Sequence, residues 1–211
     1  MLHVSNLSVA RGGMTLLSGV DFALNAGQIL VLRGANGLGK TSLLRCIAGL
    51  QNPVEGQITA PETVAYSGHA DGLKGQMTVL ENLAFWASIY HGPSPDVALD
   101  SYDLRALADR PAANLSAGQK RRLGLARMQV SGCALWVMDE PTVSLDAHNV
   151  ALFRAALDRH VHSGGAAVIT THIDLEIASA QLLDLTRFKA RGLSGSSAFE
   201  EALERSNCFC A

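Results

Sequence analysis

A glycine-rich loop between an apolar run and an amphipathic run is the feature that most limits what this chain can fold into. Residues 34–41 read GANGLGKT and fit the spacing G-x-x-x-x-G-K-[ST]. Residues 28–32, before the loop, are typical of a buried strand, and residues 42–50, after it, carry apolar side chains at helical spacing. A glycine-rich turn that binds nothing is the alternative, but a strand and a helix on either side are the context that the motif requires. The pattern therefore predicts a phosphate-binding loop.

The residue types in this loop suit that chemistry. Glycines let consecutive backbone N–H groups turn inward around an anion, and a helix that begins at Lys40 adds the positive end of its dipole. Lys40 itself brings a full positive charge, and the Thr41 hydroxyl is a hard oxygen ligand for Mg²⁺. We expect the bound phosphates to lie against Gly34, Ala35, Asn36, Gly37, Leu38, Gly39, Lys40, Thr41 and Ser42.

Length and composition are those of one globular domain. The chain has 211 residues, 48% of them apolar, which is enough for a proper core. A formal net charge of −2 argues against nucleic acid as a partner. No apolar run approaches the roughly 18 to 20 residues of a membrane-spanning helix, and residues 1–6 lack the pattern of a signal peptide. We therefore expect a cytosolic protein without direct membrane insertion, which reaches a membrane only through a partner.

The chain divides into a domain and a tail. Residues 1–185 are predicted to form the domain, with a helical subdomain inserted at about residues 78–131, and residues 186–211 to form a C-terminal tail. Strands at residues 2–7 and 15–24 precede the strand that leads into the loop, which predicts an antiparallel β layer. Cys46 and Cys133 fall in predicted core elements and are expected to be inert, while Cys208 and Cys210 lack the second pair of a zinc site.

Two capping boxes predict two helix starts. Thr78 and Glu81 form the first capping box, which predicts a helix from there to about residue 90. Apolar residues occur all around the circumference of this helix, so the helix is either buried on all sides or docks a partner. Ser116 with Gln119 begins a second helix, which points outward with Gly118 in its first turn. The outward N-terminus of this second helix is a candidate second anion site.

Polar residues at the ends of two predicted strands complete the candidate site. Asp139 and Glu140 end a buried strand, where we expect Asp139 to be an outer partner of Mg²⁺ and Glu140 to orient an attacking water. Asp146 follows and is able to cap the next helix. His172 follows the last strand that the sequence predicts, at residues 166–171, and we expect it to donate a hydrogen bond to the outermost phosphate.

These motifs, taken in order, resemble the nucleotide-binding domain of an ABC ATPase. The residues that carry the resemblance are 34–41, 115–119, 138–141, 144–146 and His172. The resemblance implies an α/β fold of the ABC-type P-loop NTPase class, with a mixed or parallel core sheet, an N-terminal antiparallel β layer and a small helical subdomain. It also implies ATP and Mg²⁺ as ligands and ATP hydrolysis as the activity. A homodimer is implied as well, in which Ser116, Gly118, Gln119 and Asp146 of one chain close on the phosphate loop of the other.

A narrower resemblance is to the CcmA family, the ATPase subunits of bacterial cytochrome c maturation systems. It is carried by residues 33–45, 68–69, 72–74, 78–83 and 115–122. It implies an integral membrane partner like CcmB, further partners like CcmC and CcmD, and a peripheral location on the cytoplasmic face of the bacterial inner membrane. Haem export and release of a haem-carrying chaperone both stay open as the work done by ATP. Another small-molecule exporter, or a soluble ABC ATPase without a membrane partner, is the alternative.

Three positions test how far the resemblance extends. His69 stands where most family members carry a glutamine. Imidazole is a poorer ligand than an amide oxygen for a hard cation such as Mg²⁺. His69 therefore either contacts Mg²⁺ or only couples the site to the membrane partner. Ala117 replaces the usual glycine of the signature, which keeps a close approach possible. The turn at residues 10–13 has no aromatic ring for adenine, so Arg11 either stacks on the base or is an ordinary exposed arginine.

Overall fold

The computed structural model describes residues 1–172, 177 and 180–190. Its strands are β1 (Leu2–Arg11), β2 (Met14–Leu24), β3 (Ile29–Arg33), β4 (Glu55–Thr59), β5 (Val64–Ser67), β6 (Leu135–Asp139), β7 (Ala166–Thr170) and β8 (Ala180–Asp184). Its helices are α1 (Lys40–Ile47), α2 (Val79–Tyr90), α3 (Asp96–Ser101), α4 (Ala117–Val130) and α5 (Ala147–His162). Short 3₁₀ turns lie at Arg105–Leu107, Ala112–Asn114 and Leu185–Phe188.

The strands form two sheets. β1 pairs antiparallel with β2 on one side and with β4 on the other, which confirms the predicted antiparallel layer. The core sheet has the order β5-β6-β7-β3-β8, and each neighbouring pair in it is parallel. The carboxyl ends of β3, β6 and β7 therefore meet at one edge of the core sheet, where functional groups of parallel sheets gather.

Alternate residues of β3 show how the core sheet divides the interior. Ile29 and Val31 pack into a cluster with α2, α4 and α5, whereas Leu30 and Leu32 pack into a second cluster with α1 and the β1–β2 layer. Both faces of the strand are buried, as its continuous apolar run predicts. Cys46 and Cys133 are buried within these clusters, and burial raises the pKa of the Cys46 thiol.

Both predicted capping boxes are present. The Thr78 hydroxyl accepts from the Glu81 N–H at 3.1 Å and the Glu81 carboxylate accepts from the Thr78 N–H at 2.8 Å, so α2 starts as predicted. Ser116 and Gln119 make the same reciprocal pair at the start of α4. Side chains that satisfy otherwise unpaired N–H groups fix where a helix can begin.

One of the two alternatives for α2 is wrong. A helix buried on all sides does not fit, because Leu80 is 40% exposed and Ile89 is 51% exposed. Val79, Leu83 and Ala87 are buried along one side of α2, whereas Leu80 and Ile89, nine residues apart, are exposed on its two flanks.

Three boundaries differ from the predictions. β1 continues to Arg11, past residue 7, because β2 pairs with it through several register shifts. The helix predicted to run to residue 50 ends at Ile47, since Gly49 has a φ of 69°, outside the helical range. Contacts with β2 also extend beyond residue 185, where Ala190 N–H donates to the Leu16 carbonyl at 3.0 Å. The predicted linker at residues 192–197, Cys208 and Cys210 lie outside the described residues.

Candidate functional site

The glycine-rich loop connects β3 to α1 at the carboxyl edge of the core sheet. Gly39, at the start of the helix, has a φ of 109°, and a Cβ there would come within 3.0 Å of the Leu16 Cβ. Both the backbone angle and the close approach therefore require glycine. The Lys40 ammonium lies back over the loop and donates to the carbonyls of Gly34 at 2.7 Å and Ala35 at 3.3 Å. These two bonds keep the positive charge at the glycine-rich loop.

A hydroxyl and a carboxylate meet beside the loop. Thr41 Oγ1 donates to Asp139 Oδ2 at 2.6 Å, and Asp139 Oδ1 accepts from Thr170 Oγ1 at 2.7 Å. The Asp139 carboxylate is buried, and its two hydrogen-bond donors come from α1 (Thr41) and β7 (Thr170). Hard oxygen donors of this kind suit a small divalent cation. No cluster of three or more His, Cys, Asp or Glu able to hold a metal occurs in the described part of the chain.

Glu140 occupies a strained backbone position at the end of β6. Its φ is 50°, which is uncommon for a residue with a Cβ, and its N–H donates to both the carbonyl and the hydroxyl of Thr170, at 3.1 and 3.0 Å. His172 Nε2 lies 3.2 Å from Glu140 Oε1. The His172 side chain is 57% exposed, so it can reach a ligand in front of the carboxylate. A carboxylate beside an imidazole can orient and polarise a water molecule.

A cavity of about 480 Å³ collects most of the predicted site residues. It is lined by Arg11, Leu16, Asn36, Gly37, Gly39, Lys40, Thr41, Ser42, His69, Asp139, Glu140, Val143 and His172. Arg11 and His69 are both exposed at its rim, the positions from which they could contact a base or a cation-bound phosphate. Three predicted loop residues, Gly34, Ala35 and Leu38, do not line this cavity, and the Leu38 side chain packs into the core.

The four residues predicted to act in trans lie outside this cavity. Ser116 caps α4, Gly118 and Gln119 lie in its first turn, and Asp146 caps α5 by accepting from the Asn149 N–H at 2.9 Å. Ser116 is exposed, so the capped end of α4 is open to solvent. One chain therefore does not bring the α4 terminus to its own glycine-rich loop.

Thr170 is a site residue that the sequence argument missed. Its hydroxyl bridges the Asp139 carboxylate and the Glu140 N–H, and the side chain is fully buried. A threonine in a strand is ordinary, since β-branched residues favour strands. Only the position of Thr170 at the carboxyl end of a strand next to β6 could have drawn attention to it.

Comparison with known proteins identifies the family. A family model described as ABC transporter matches residues 17–143. The cytochrome c biogenesis ATP-binding export protein CcmA of Paracoccus denitrificans is 57% identical over 206 residues, which cover 96% of this chain and 98% of that protein. The CcmA of Rhodobacter capsulatus is 56% identical over 192 residues, which cover 90% of each chain. The chain belongs to the CcmA group of the ABC transporter family.

Solved structures agree with that fold. The ATP-binding subunit of an ABC transporter superposes on this CcmA-group chain with a TM-score of 0.81 at 22% identity, over 96% of this chain and 94% of the other. A dimeric ATP-binding cassette with ADP and phosphate bound gives a TM-score of 0.77 at 20% identity, over 91% and 97% of the two chains. The two superpositions show that this chain has the α/β fold of these ATP-binding proteins. At 20–22% identity they are evidence for the fold alone. Among the helices that the structure describes, none has the length and hydrophobicity that a bilayer crossing would need.

Proposed function

We propose that this chain is the ATP-hydrolysing subunit of a CcmA-type export complex that serves cytochrome c biogenesis. The observation that carries the proposal is the single cavity in which the glycine-rich loop, Thr41, Asp139, Glu140 and His172 converge. The two CcmA relatives, which are named as ATP-binding export proteins of cytochrome c biogenesis, support the cellular role. The family resemblance adds two alternatives for the work that ATP hydrolysis drives. One is the export of haem, and the other is the release of a haem-carrying chaperone.

In the proposed reaction the chain supplies position and charge. The loop N–H groups and Lys40 hold the phosphates, and Lys40 would exchange its present carbonyl acceptors for phosphate oxygens. Thr41 would bind Mg²⁺ and Asp139 would support it from the outer shell; the bound ion would neutralise charge on the outer phosphates. Glu140 would orient the attacking water, and His172 would donate a hydrogen bond to the outermost phosphate.

We propose that two copies form the complete site. The capped N-terminus of α4 is exposed and does not line the cavity of its own chain, so in this proposal a second chain brings Ser116, Gly118 and Gln119 to the phosphates. Asp146 would lie at the same junction. The N–H groups of the first turn of a helix favour anions, which suits the proposed contact.

We further propose that an integral membrane subunit like CcmB docks on α2, with CcmC- and CcmD-like proteins as further partners. Leu80 and Ile89 are exposed, and the Phe85 and Trp86 rings, 5.4 Å apart, form an aromatic pair on the same helix. Phe85 and Trp86 are partly buried, so a partner on α2 would cover the edges of these rings together with the exposed Leu80 and Ile89 side chains on either flank. Docking there would hold the chain at the cytoplasmic face of the inner membrane, with the exposed His69 loop close to the nucleotide.

The experiment that tests the function replaces Glu140. Glu140→Gln should keep ATP binding and lower the hydrolysis rate at least about 100-fold, because an amide orients but does not take up a proton. The matched control is Glu62→Gln, the same change at an exposed carboxylate between β4 and β5, and it should leave the rate unchanged. A Glu140→Gln chain that hydrolyses ATP at the normal rate would remove Glu140 from the reaction.

A further inference from the structure

The Arg121 guanidinium joins three segments that are far apart in sequence. Arg121 lies in the second turn of α4 and is only 6% exposed. On one side, Nε donates to the Pro141 carbonyl at 3.0 Å and Nη2 to the Glu140 carbonyl at 2.6 Å. On the other side, Nη1 donates to Asp71 Oδ1 at 2.9 Å and to the Gly68 carbonyl at 3.3 Å. One rigid group therefore links α4, the turn after β6 and the loop after β5.

The bond to Glu140 matters because that residue is strained. A backbone at φ 50° persists only where neighbouring groups fix it on both sides. Thr170 holds the Glu140 N–H and Arg121 holds the Glu140 carbonyl, so the direction in which the carboxylate leaves the backbone is determined by these two partners. Displacement of the carbonyl would turn the carboxylate away from His172.

The loop of residues 68–71 is held equally closely. Asp71 packs on α4 at Gly124, where an added Cβ would lie 2.9 Å from the Asp71 Cβ. The Asp71–Arg121 ion pair is mostly buried, with side chains 24% and 7% exposed. A planar guanidinium has fixed donor directions, so a shift of this loop changes the geometry of its bonds to the Glu140 turn.

We propose that Arg121 is a positioning residue for Glu140, and that it couples the orientation of Glu140 to the position of the 68–71 loop. This proposal rests on the function proposed above for Glu140. Because His69 of that loop lines the nucleotide cavity, the loop can respond both to the nucleotide and to a partner docked beside it. Arg121 does not line the cavity and acts on the reaction through the backbone of Glu140.

The test compares Arg121→Lys with Arg122→Lys in the full-length chain. Arg122 is the neighbouring buried arginine, 9% exposed, and it donates to the carbonyls of Tyr102 and Asp103 instead. Arg121→Lys should lower kcat about 10- to 100-fold and change the Kd of a fluorescent ATP analogue less than about twofold. Arg122→Lys should leave kcat within about threefold of the unchanged chain, even where both variants lose similar thermal stability. Equal losses of kcat in the two variants would overturn the proposal.

A double variant separates this proposal from the function of Glu140 itself. If Arg121 acts through Glu140, adding Arg121→Lys to Glu140→Gln should lower the residual single-turnover rate by less than about twofold. A further fall as large as that of Arg121→Lys alone would refute positioning through Glu140. Failure of the proposed function would instead be seen in Glu140→Gln alone, as an unchanged rate.

Discussion

The close packing of Asp71 on α4 makes Gly124→Ala a sharp test of the structure. Gly124 is buried in the middle of α4, and alanine is favoured over glycine in a helix interior by about 1 kcal/mol. The new Cβ, however, would lie 2.9 Å from both Cβ and Oδ1 of Asp71. Since Asp71 is held by its own loop, the loop must move away by several tenths of an ångström.

That movement costs more than the helix gains. It opens the 2.9 Å bond between Arg121 Nη1 and Asp71, and a charged hydrogen bond with this burial contributes about 1.5–3 kcal/mol. The net effect of Gly124→Ala is therefore a destabilisation of about 1 kcal/mol, or about 2–4 °C in Tm for a chain of this size. Thermal unfolding followed by circular dichroism measures the shift.

An Asp71→Gly background isolates the clash. Without the Asp71 side chain, the overlapping atoms are gone and the ion pair is already lost, so Gly124→Ala should stabilise the chain by about 1 kcal/mol. The sign of the effect should thus reverse between the two backgrounds. Stabilisation by Gly124→Ala in the unchanged chain, or the same sign in both backgrounds, would refute the reasoning.

Three further predictions concern the nucleotide, the docking surface and pH. Lys40→Ala should weaken ATP binding about 10- to 100-fold in a fluorescence titration, because a charged hydrogen-bond donor is lost; an unchanged Kd would contradict the assigned role of the loop. Phe85→Ser with Trp86→Ser should reduce co-purification with the membrane subunit while ATP binding persists, whereas Val97→Ser, at a 61% exposed position on α3, should have no effect on either. Burial lowers the pKa of His160 in the folded chain below its ordinary value of 6.5. As the pH falls through 6.5, His160 therefore takes up a proton more readily in the unfolded chain than in the folded chain, and the free energy of unfolding should decrease. His160→Phe should flatten this pH dependence in denaturant titrations between pH 7.5 and about 5, and an identical slope would contradict it.

Much of the fold follows from local sequence rules. Both capping boxes, the strand before the glycine-rich loop and the buried strand ending at Asp139 depend on residues within a few positions of one another, so the local sequence predicts each of them. The loop chemistry is equally local, because an anion cradle is built from consecutive N–H groups. The boundaries that failed, such as the continuation of β1 to Arg11, depend instead on pairing with a distant strand.

The candidate site also contains residues that the local sequence predicts and residues whose role depends on distant partners. Thr41, Asp139 and Glu140 could be named in advance because the motif spacing and the ends of parallel strands predict where they meet. Arg121 and Thr170 could not, since their partners are 19 to 53 residues away and include backbone carbonyls, which carry no residue-specific signal. A basic residue after a helix cap is usually a solvated charge, and only the fold turns this one inward. The residues proposed to act on the nucleotide can thus be predicted from the sequence, whereas the residues that position them can be identified only from the folded structure.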